Sequence, residues 1–448
     1  MMELAMRTVE SVEDLEPELY AADYFEKRDQ IELRNGRPRH RIARAFEAMI
    51  DAIEEPPRAM VFMPWVIHGG ADLVACHAVR ALAENHGTAS VLVILTDHDR
   101  EDAPHLLPEG VPLLSFSRID ADLSPSERTE LIDLLVRGLQ PGVILNVNSH
   151  ACWEAMTIYG SRLSFFTRLY AMLFCPDFSV TGRRNGYSDL YLRQCLPHLS
   201  GIYFDNRSYI DEMTERFGIP PELRTRLVPL LQPAPQMPSA RHERLSGEPL
   251  RVLWAGRLTL QKNVDLLIAI AENAPQFTFH IWGGRGDDLF ERRLADLAQR
   301  CPSVQFHGPF DRFDALPLSS YDALLYTSLW DGIPNVLLEA ASARLPIVAS
   351  HVGGIGELVD LQTGWLIEEL DDPAPYIAAL QTISDDPTGT AHRGEAMRQR
   401  LLKNHNWQTY RDILAREPSS TGGLLNVSSH DHGNSDGASR RTASETIA

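Results

Sequence analysis

The chain has 448 residues, 44% of them apolar and 23% charged, and a formal net charge of −19 at pH 7. That length predicts two domains, each with its own core, since single domains usually run to about 100–200 residues. The acidic balance excludes a nucleic-acid partner, which demands a basic face, and no run approaches the ~20 apolar residues of a membrane span.

In chain order, residues 1–55 are charged and helix-prone and predict a helical N-terminal extension, broken by Gly36 and Pro38. Its basic segment 34–44 (Arg34, Arg37, Arg39, Arg41, Arg44) reads either as a solvated face or as a peripheral contact with anionic membrane headgroups. Residues 56–235 form the first predicted domain. The run 59–66 is continuously apolar, as a strand buried on both faces should be. Gly69-Gly70 follow, and 72–84 has helical spacing. Further strand-like runs lie at 90–95, 143–147, 201–204 and 226–231, with helices predicted at 125–138 and 208–217. Proline density then marks a linker over 236–249. The alternation restarts in 250–400, with strands predicted at 250–255, 277–282, 304–307, 323–326 and 346–350 and helices at 263–273, 289–300 and 336–343. A closing helix is expected over 401–416. A disordered tail is expected over 417–448, where Ser, Thr, Gly, Asn and His dominate. The fold class is therefore α/β, two tandem Rossmann-like doubly wound domains facing a central cleft.

Chemistry concentrates at strand-to-helix junctions, where open parallel sheets hold ligands. Arg257 follows the strand 250–255 and Lys262 precedes the helix 263–273. A planar fork and a mobile point charge beside a helix N-terminus suit a diphosphate, although surface ion pairs explain both residues equally well. Asp331 and Glu339 have seven residues between them. Pro334 fits the first turn of the helix 336–343 and leaves the Asn335 and Val336 amides free to face the cleft. Glu339 suits a ribose diol, and Asp331 the hydroxyls of a transferred sugar. Paired acids also occur in glycosidases, but the basic residues at the same rim favour a phosphate-bearing donor. Gly353-Gly354 close the next strand and permit close backbone approach, as Gly69-Gly70 do in the first domain. His150, just past the strand 143–147, reads either as a structural histidine or as one placed to bond a sugar hydroxyl or a departing phosphate. No G-x-G-x-x-G fingerprint and no metal-ligand spacing occurs. Cys76, Cys152, Cys175, Cys195 and Cys301 include no CxxC pair and fit a reducing compartment. With no basic-then-apolar leader at the start, a cytoplasmic protein is expected, at most peripheral at the inner face of a membrane.

These residues resemble family-four retaining glycosyltransferases of the two-domain glycosyltransferase B fold, over roughly 58–416 and most closely over 252–366. Gly256-Arg257 through Lys262 resembles that family's diphosphate-binding segment. Asp331-Gly332-Ile333-Pro334-Asn335-Val336 through Glu339 resembles its acid-x7-Glu motif, and Gly353-Gly354 with Glu357 the glycine loop that follows. The strand and loop ending in Gly308, Pro309 and Phe310 resemble the segment whose backbone holds the base. Gly69-Gly70 resembles the first-domain glycine loop, and His150 falls near a cleft histidine of the family. Trp407 and Tyr410 resemble the helix that closes back on the first domain. The sequence departs where Asp331 replaces the usual Glu, and at Ala343-Arg344-Leu345-Pro346, where a glycine often precedes the proline. The resemblance implies a nucleotide-sugar donor, a saccharide or lipid-linked acceptor, retention of configuration, and no cofactor or divalent metal. A non-catalytic nucleotide-sugar-binding module and a sugar-nucleotide epimerase of the same architecture remain the alternatives.

Overall fold

A computed structural model describes residues 40–98, 100, 102–179, 181–237, 247–284 and 286–427. The first sheet comprises β1 (Ala59–Met63), β2 (Val91–Leu95), β3 (Leu113–Ser115), β4 (Val143–Val147), β5 (Arg168–Leu173), β6 (Gly201–Phe204) and β7 (Leu227–Pro229). Its seven strands lie in the order β3-β2-β1-β4-β5-β6-β7, and all pairings are parallel. Successive side chains leave a strand on opposite faces. Met60 and Phe62 accordingly join one apolar layer with Ile94 and Ile144, while Val61 and Met63 join the other with Val93 and Leu145. Both layers are roofed by helices, so β1, β2 and β4 are buried at every position.

The second sheet comprises β8 (Arg251–Arg257), β9 (Thr278–Gly284), β10 (Val304–Gly308), β11 (Ala323–Tyr326), β12 (Ile347–Ser350) and β13 (Trp365–Ile367). Its six strands lie in the order β10-β9-β8-β11-β12-β13, again all parallel. Val252 and Trp254 face the helices Val264–Asn273 and Asp288–Arg300. Leu253 and Ala255 face the helices Asn335–Ser342 and Pro387–Asn404. Two doubly wound α/β units in tandem are thus the architecture the alternation of runs predicts. No helix among the described residues is long and apolar enough to cross a membrane.

Periodicity fails to announce β5, although it lies inside the first sheet, next to the central strand β4. Its sequence Arg-Leu-Tyr-Ala-Met-Leu carries no β-branched residue and includes good helix formers. Burial on both faces overrides that preference, since β4 and β6 flank it. At the N-terminal end, Arg34, Arg37 and Arg39 lie outside the described residues. Arg41 pairs with Asp120 and Asp122, and Ala45 and Met49 of its helix, His40–Asp51, enter the first core.

The expected disordered tail needs correcting over 417–427; 428–448 lies outside the described residues. The helix Trp407–Arg416 first lays Tyr410 and Leu414 into the first domain, with the Trp407 indole donating to Glu84 at 3.0 Å. The chain then crosses the ends of β5 and β6. The Tyr170 hydroxyl donates to the Gly422 carbonyl (2.6 Å), the Tyr203 hydroxyl to that of Glu417 (2.8 Å), and Arg168 to that of Gly423 (3.2 Å). Leu424 and Leu425 are buried. Leu424→Ala is expected to cost about 2–5 kcal/mol, the range for truncating a buried leucine, whereas a disordered segment would give no change; chemical denaturation decides between them.

Candidate active site

Both sheets reverse direction of winding at a single point, between β1 and β4 in the first and between β8 and β11 in the second. The crevice beyond the carboxyl ends of strands at such a point is where doubly wound sheets bind ligands. Here the two crevices face each other across one cleft of about 910 Å³. Gly69 and Gly70 reach it after β1, His150 after β4, Arg257 at the end of β8, Lys262 after β8, and Asp331 after β11.

Lys262 ends a short 3-10 turn, Leu260–Lys262, and Asn263 turns the chain through a left-handed conformation (φ 50°) into the following helix. This geometry sends the Lys262 ammonium towards β11. There it donates to the Tyr326 hydroxyl and to Asp331 Oδ2, both at 2.5 Å, and the Tyr326 hydroxyl itself donates to Asp331 Oδ2 at 2.5 Å. An ammonium carries three donors, so one remains for an anion in the cleft. Burial, then the Asp331 charge, pushes the Tyr326 phenol well above its ordinary pKa, so it stays a neutral donor. Asp331 Oδ1 accepts from the Gly332 amide at 3.1 Å. Arg257 lines the same wall, tethered loosely to Gln261 at 3.4 Å.

The helix Asn335–Ser342 starts at the cleft with Pro334 as its N-cap. Pro334, Asn335 and Val336 line the cavity. The first amides of a helix have no intrahelical partner. Those of Asn335 and Val336 meet no other acceptor among the described residues, which leaves them with the dipole's positive end for an anion. Glu339 lies one turn further in. Its carboxyl is partly buried and accepts no hydrogen bond among the described residues. Desolvation raises its pKa to about 8, with the Asp314 charge adding and Arg312 opposing.

His150 is the first residue of the helix His150–Leu163, whose N-cap is Ser149. Its Nε2 lies 3.0 Å from the Tyr191 hydroxyl, which donates its only proton to Glu154 at 2.8 Å. The histidine must therefore be the donor in its bond to Tyr191, and in the neutral ring Nδ1 is left as the acceptor.

Among the residues singled out from the sequence, the cleft brings together Gly69, Gly70, His150, Gly256, Arg257, Lys262, Pro309, Phe310, Asp331, Ile333, Pro334, Asn335 and Val336. Gly308, Gly332, Glu339, Gly353 and Gly354 are not on its wall. For three of the glycines the close approach they permit is to protein. A Cβ on Gly332 would strike the Asp205 carboxylate, one on Gly353 the Asp331 carbonyl, and one on Gly354 the Asn206 side chain. The Ile333 amide is likewise committed, donating to Asp205 Oδ2 at 3.0 Å. At the other departure, Arg344 takes the left-handed conformation (φ 60°) in which a glycine is unstrained.

Sequence reasoning missed Tyr326, Cys175, Phe178 and Trp330. Tyr326 ends an apolar strand and reads as core. Cys175 lines the cleft beside Asp331, Asp205 and Lys262, and burial pushes its thiol well up, so it is not a thiolate. The Phe178 and Trp330 rings meet across the two domains with centroids 4.7 Å apart.

Residues 249–386 match the model of the family described as glycosyl transferases group 1. A glycogen synthase of Mycobacterium tuberculosis is 32% identical over 215 residues, covering 46% of this chain and 50% of the relative. The O-antigen biosynthesis glycosyltransferase WbnH of Escherichia coli is 32% identical over 161 residues, covering 36% and 44% respectively. The chain thus spans about half the length of the curated relatives it matches, or less. Among solved structures, Anabaena Alr3699/HepE in complex with UDP and glucose superposes with a TM-score of 0.62 at 18% identity, covering 81% of this chain and all (100%) of that one. The sucrose-phosphate synthase of Thermosynechococcus elongatus superposes with a TM-score of 0.60 at 18% identity, over 80% and 97%. The chain accordingly has the glycosyltransferase B fold, and its second domain is similar to the glycosyl transferases group 1 family over residues 249–386.

Proposed function

We propose that the protein is a retaining glycosyltransferase that moves a sugar from a nucleotide-sugar donor to a hydroxyl of a saccharide or lipid-linked acceptor, in polysaccharide or glycoconjugate biosynthesis. The observation that carries this reading is the convergence of Arg257, Lys262 and the unpartnered Asn335 and Val336 amides on one wall of the cleft. Four donors of positive character at one rim suit a pyrophosphate. Their catalytic value lies in the charge that grows on the phosphate as it leaves, since donors fixed in advance need no reorganisation. Asp331 Oδ1 retains a lone pair for a hydroxyl of the sugar. The acceptor hydroxyl attacks from the face the phosphate leaves and passes its proton to that phosphate, with His150 Nδ1 beside the path to hold a sugar hydroxyl. Arg257 and Lys262 supply the cationic charge, so transfer proceeds without a divalent metal.

A thermal-shift screen of UDP-, GDP-, ADP- and dTDP-sugars, with and without EDTA, tests the donor. A ligand held at 100 times its dissociation constant is expected to stabilise the chain by about 2.7 kcal/mol, undiminished by EDTA. UDP-sugars head the screen because the Anabaena neighbour is described with UDP and glucose. Stabilisation without transfer to any acceptor would leave a binding module instead, and no stabilisation by any nucleotide sugar would overturn the reading.

A further inference from the structure

The donor domain meets the acceptor domain along a seam that starts beside the cleft, at Asp205, Ile333 and Asn335, and runs outward to Glu357. Glu357, on the short helix Ile355–Leu358, reaches the first domain at the start of the helix Arg207–Arg216. Its Oε1 accepts from the Arg207 amide (2.7 Å), the Ser208 amide (2.8 Å) and the Ser208 hydroxyl (3.1 Å). The Asn206 side chain accepts from the Tyr209 amide at 2.7 Å. The first three amides of this helix are therefore satisfied, two of them by a residue of the other domain. A carboxylate is the right charge there, at the positive end of the helix dipole. One turn away Asp205, buried, takes the Ile333 amide of the donor loop, and Asn335 Nδ2 donates to the Gly70 carbonyl at 3.2 Å.

We propose that this seam positions the donor loop 331–336 against the acceptor domain, with Glu357 and Asp205 as positioning residues for sugar transfer. The connection is short. Glu357 fixes the helix whose N-cap is Asn206, its neighbour Asp205 holds Ile333, and Ile333 lies two residues from Asp331 and two from Asn335. Gly332 and Gly354 are the places where a Cβ would strike the Asp205 carboxylate and the Asn206 side chain of the first domain. The seam therefore sets how far the donor wall, with Arg257, Lys262 and Asp331, stands from His150 on the opposite wall. The four proposed pyrophosphate donors, Arg257, Lys262 and the Asn335 and Val336 amides, belong to the second domain, so loosening the seam impairs the meeting of donor and acceptor more than the binding of the donor.

This inference rests on the glycosyltransferase reading for its kinetic arm alone. Glu357→Leu, which removes the acceptor oxygens, is expected to lower kcat about 10-fold, 1.4 kcal/mol on the barrier, while donor affinity in the thermal-shift assay stays within about 2-fold. Glu357→Gln keeps a carbonyl oxygen and is expected to recover much of the loss. Small-angle scattering of the full chain is expected to show a larger radius of gyration for Glu357→Leu than for wild type, whatever the activity. Should Glu357→Leu fail to fold, Gly354→Ala pries at the same contact from the Asn206 side without removing a charge. Wild-type scattering and wild-type kcat in the folded variants would overturn the proposal. So would a loss of donor affinity as large as the loss of kcat, which would move Glu357 into the donor site. A wild-type chain that transfers no sugar, but whose variants still expand, would sink the enzymatic reading and leave the seam standing.

Discussion

Lys262→Ala is expected to lower kcat by about 10²–10³-fold, the usual cost of removing one preorganised donor from a developing anion. The side chain has two duties that alanine ends together. Its ammonium holds Asp331 Oδ2 and the Tyr326 hydroxyl in one compact group, and its third N–H is available to the leaving phosphate. Without it, Asp331 and the Tyr326 hydroxyl lose the donor that holds them together, so the carboxylate expected to hold the sugar is also misplaced. Lys262→Arg is not a rescue. A guanidinium is planar and larger, and cannot place donors on both Tyr326 and Asp331 at the distances that a tetrahedral ammonium reaches. Steady-state kinetics, with circular dichroism to confirm the fold, checks the result. Activity of Lys262→Ala within about 10-fold of wild type would remove Lys262 from the transfer step.

The parts of this molecule that were legible in its sequence are those governed by local pattern. The strands at 143–147, 201–204 and 323–326 read correctly because an apolar run between turn residues has few other outcomes in a parallel sheet. Arg257, Lys262 and Asp331 were legible because each follows such a strand, and topology carries whatever follows those strands to the cleft. Glycine was legible as a place of close approach, but not what approaches. Gly332 and Gly354 read as ligand-facing and proved to face Asp205 and Asn206 of the other domain. The ordered part of the tail was hidden for a similar reason. Its small polar residues suggest disorder, yet Arg168, Tyr170 and Tyr203 hold its carbonyls from more than 200 positions away in the chain. Long-range partners of this kind leave no periodic signal, and Leu424-Leu425 is too short a run to supply one.

Glu339→Gln is expected to weaken donor binding by about 10-fold or more at pH 8–9 and to abolish most of its pH dependence. In the unliganded protein burial raises the Glu339 pKa to about 8, against an ordinary glutamate value near 4.3. Glu339 stands behind the wall of the unliganded cleft, and the expectation is that the donor's ribose diol reaches it; two hydrogen bonds from the diol would favour the carboxylate and draw its pKa down on binding. Donor binding must therefore release a proton wherever the free protein holds one. The dissociation constant is expected to rise up to about tenfold per pH unit as pH falls from about 8 towards the bound-state pKa, and to flatten above 8. The stability of the unliganded chain runs the other way. A raised acid pKa means that the folded state holds its proton more tightly than the unfolded state, so this group's contribution favours folding at low pH and is lost as pH rises from the unfolded value to about 8. Glutamine, which never ionises, removes that penalty. At pH 8–9 Glu339→Gln is expected to melt above the unliganded wild type by a few degrees while binding donor less well, and calorimetric titration in buffers of different ionisation enthalpy would count the released proton. A variant that both melts lower and binds as tightly as wild type would show that this carboxyl is an ordinary helix acid with no contact to the donor.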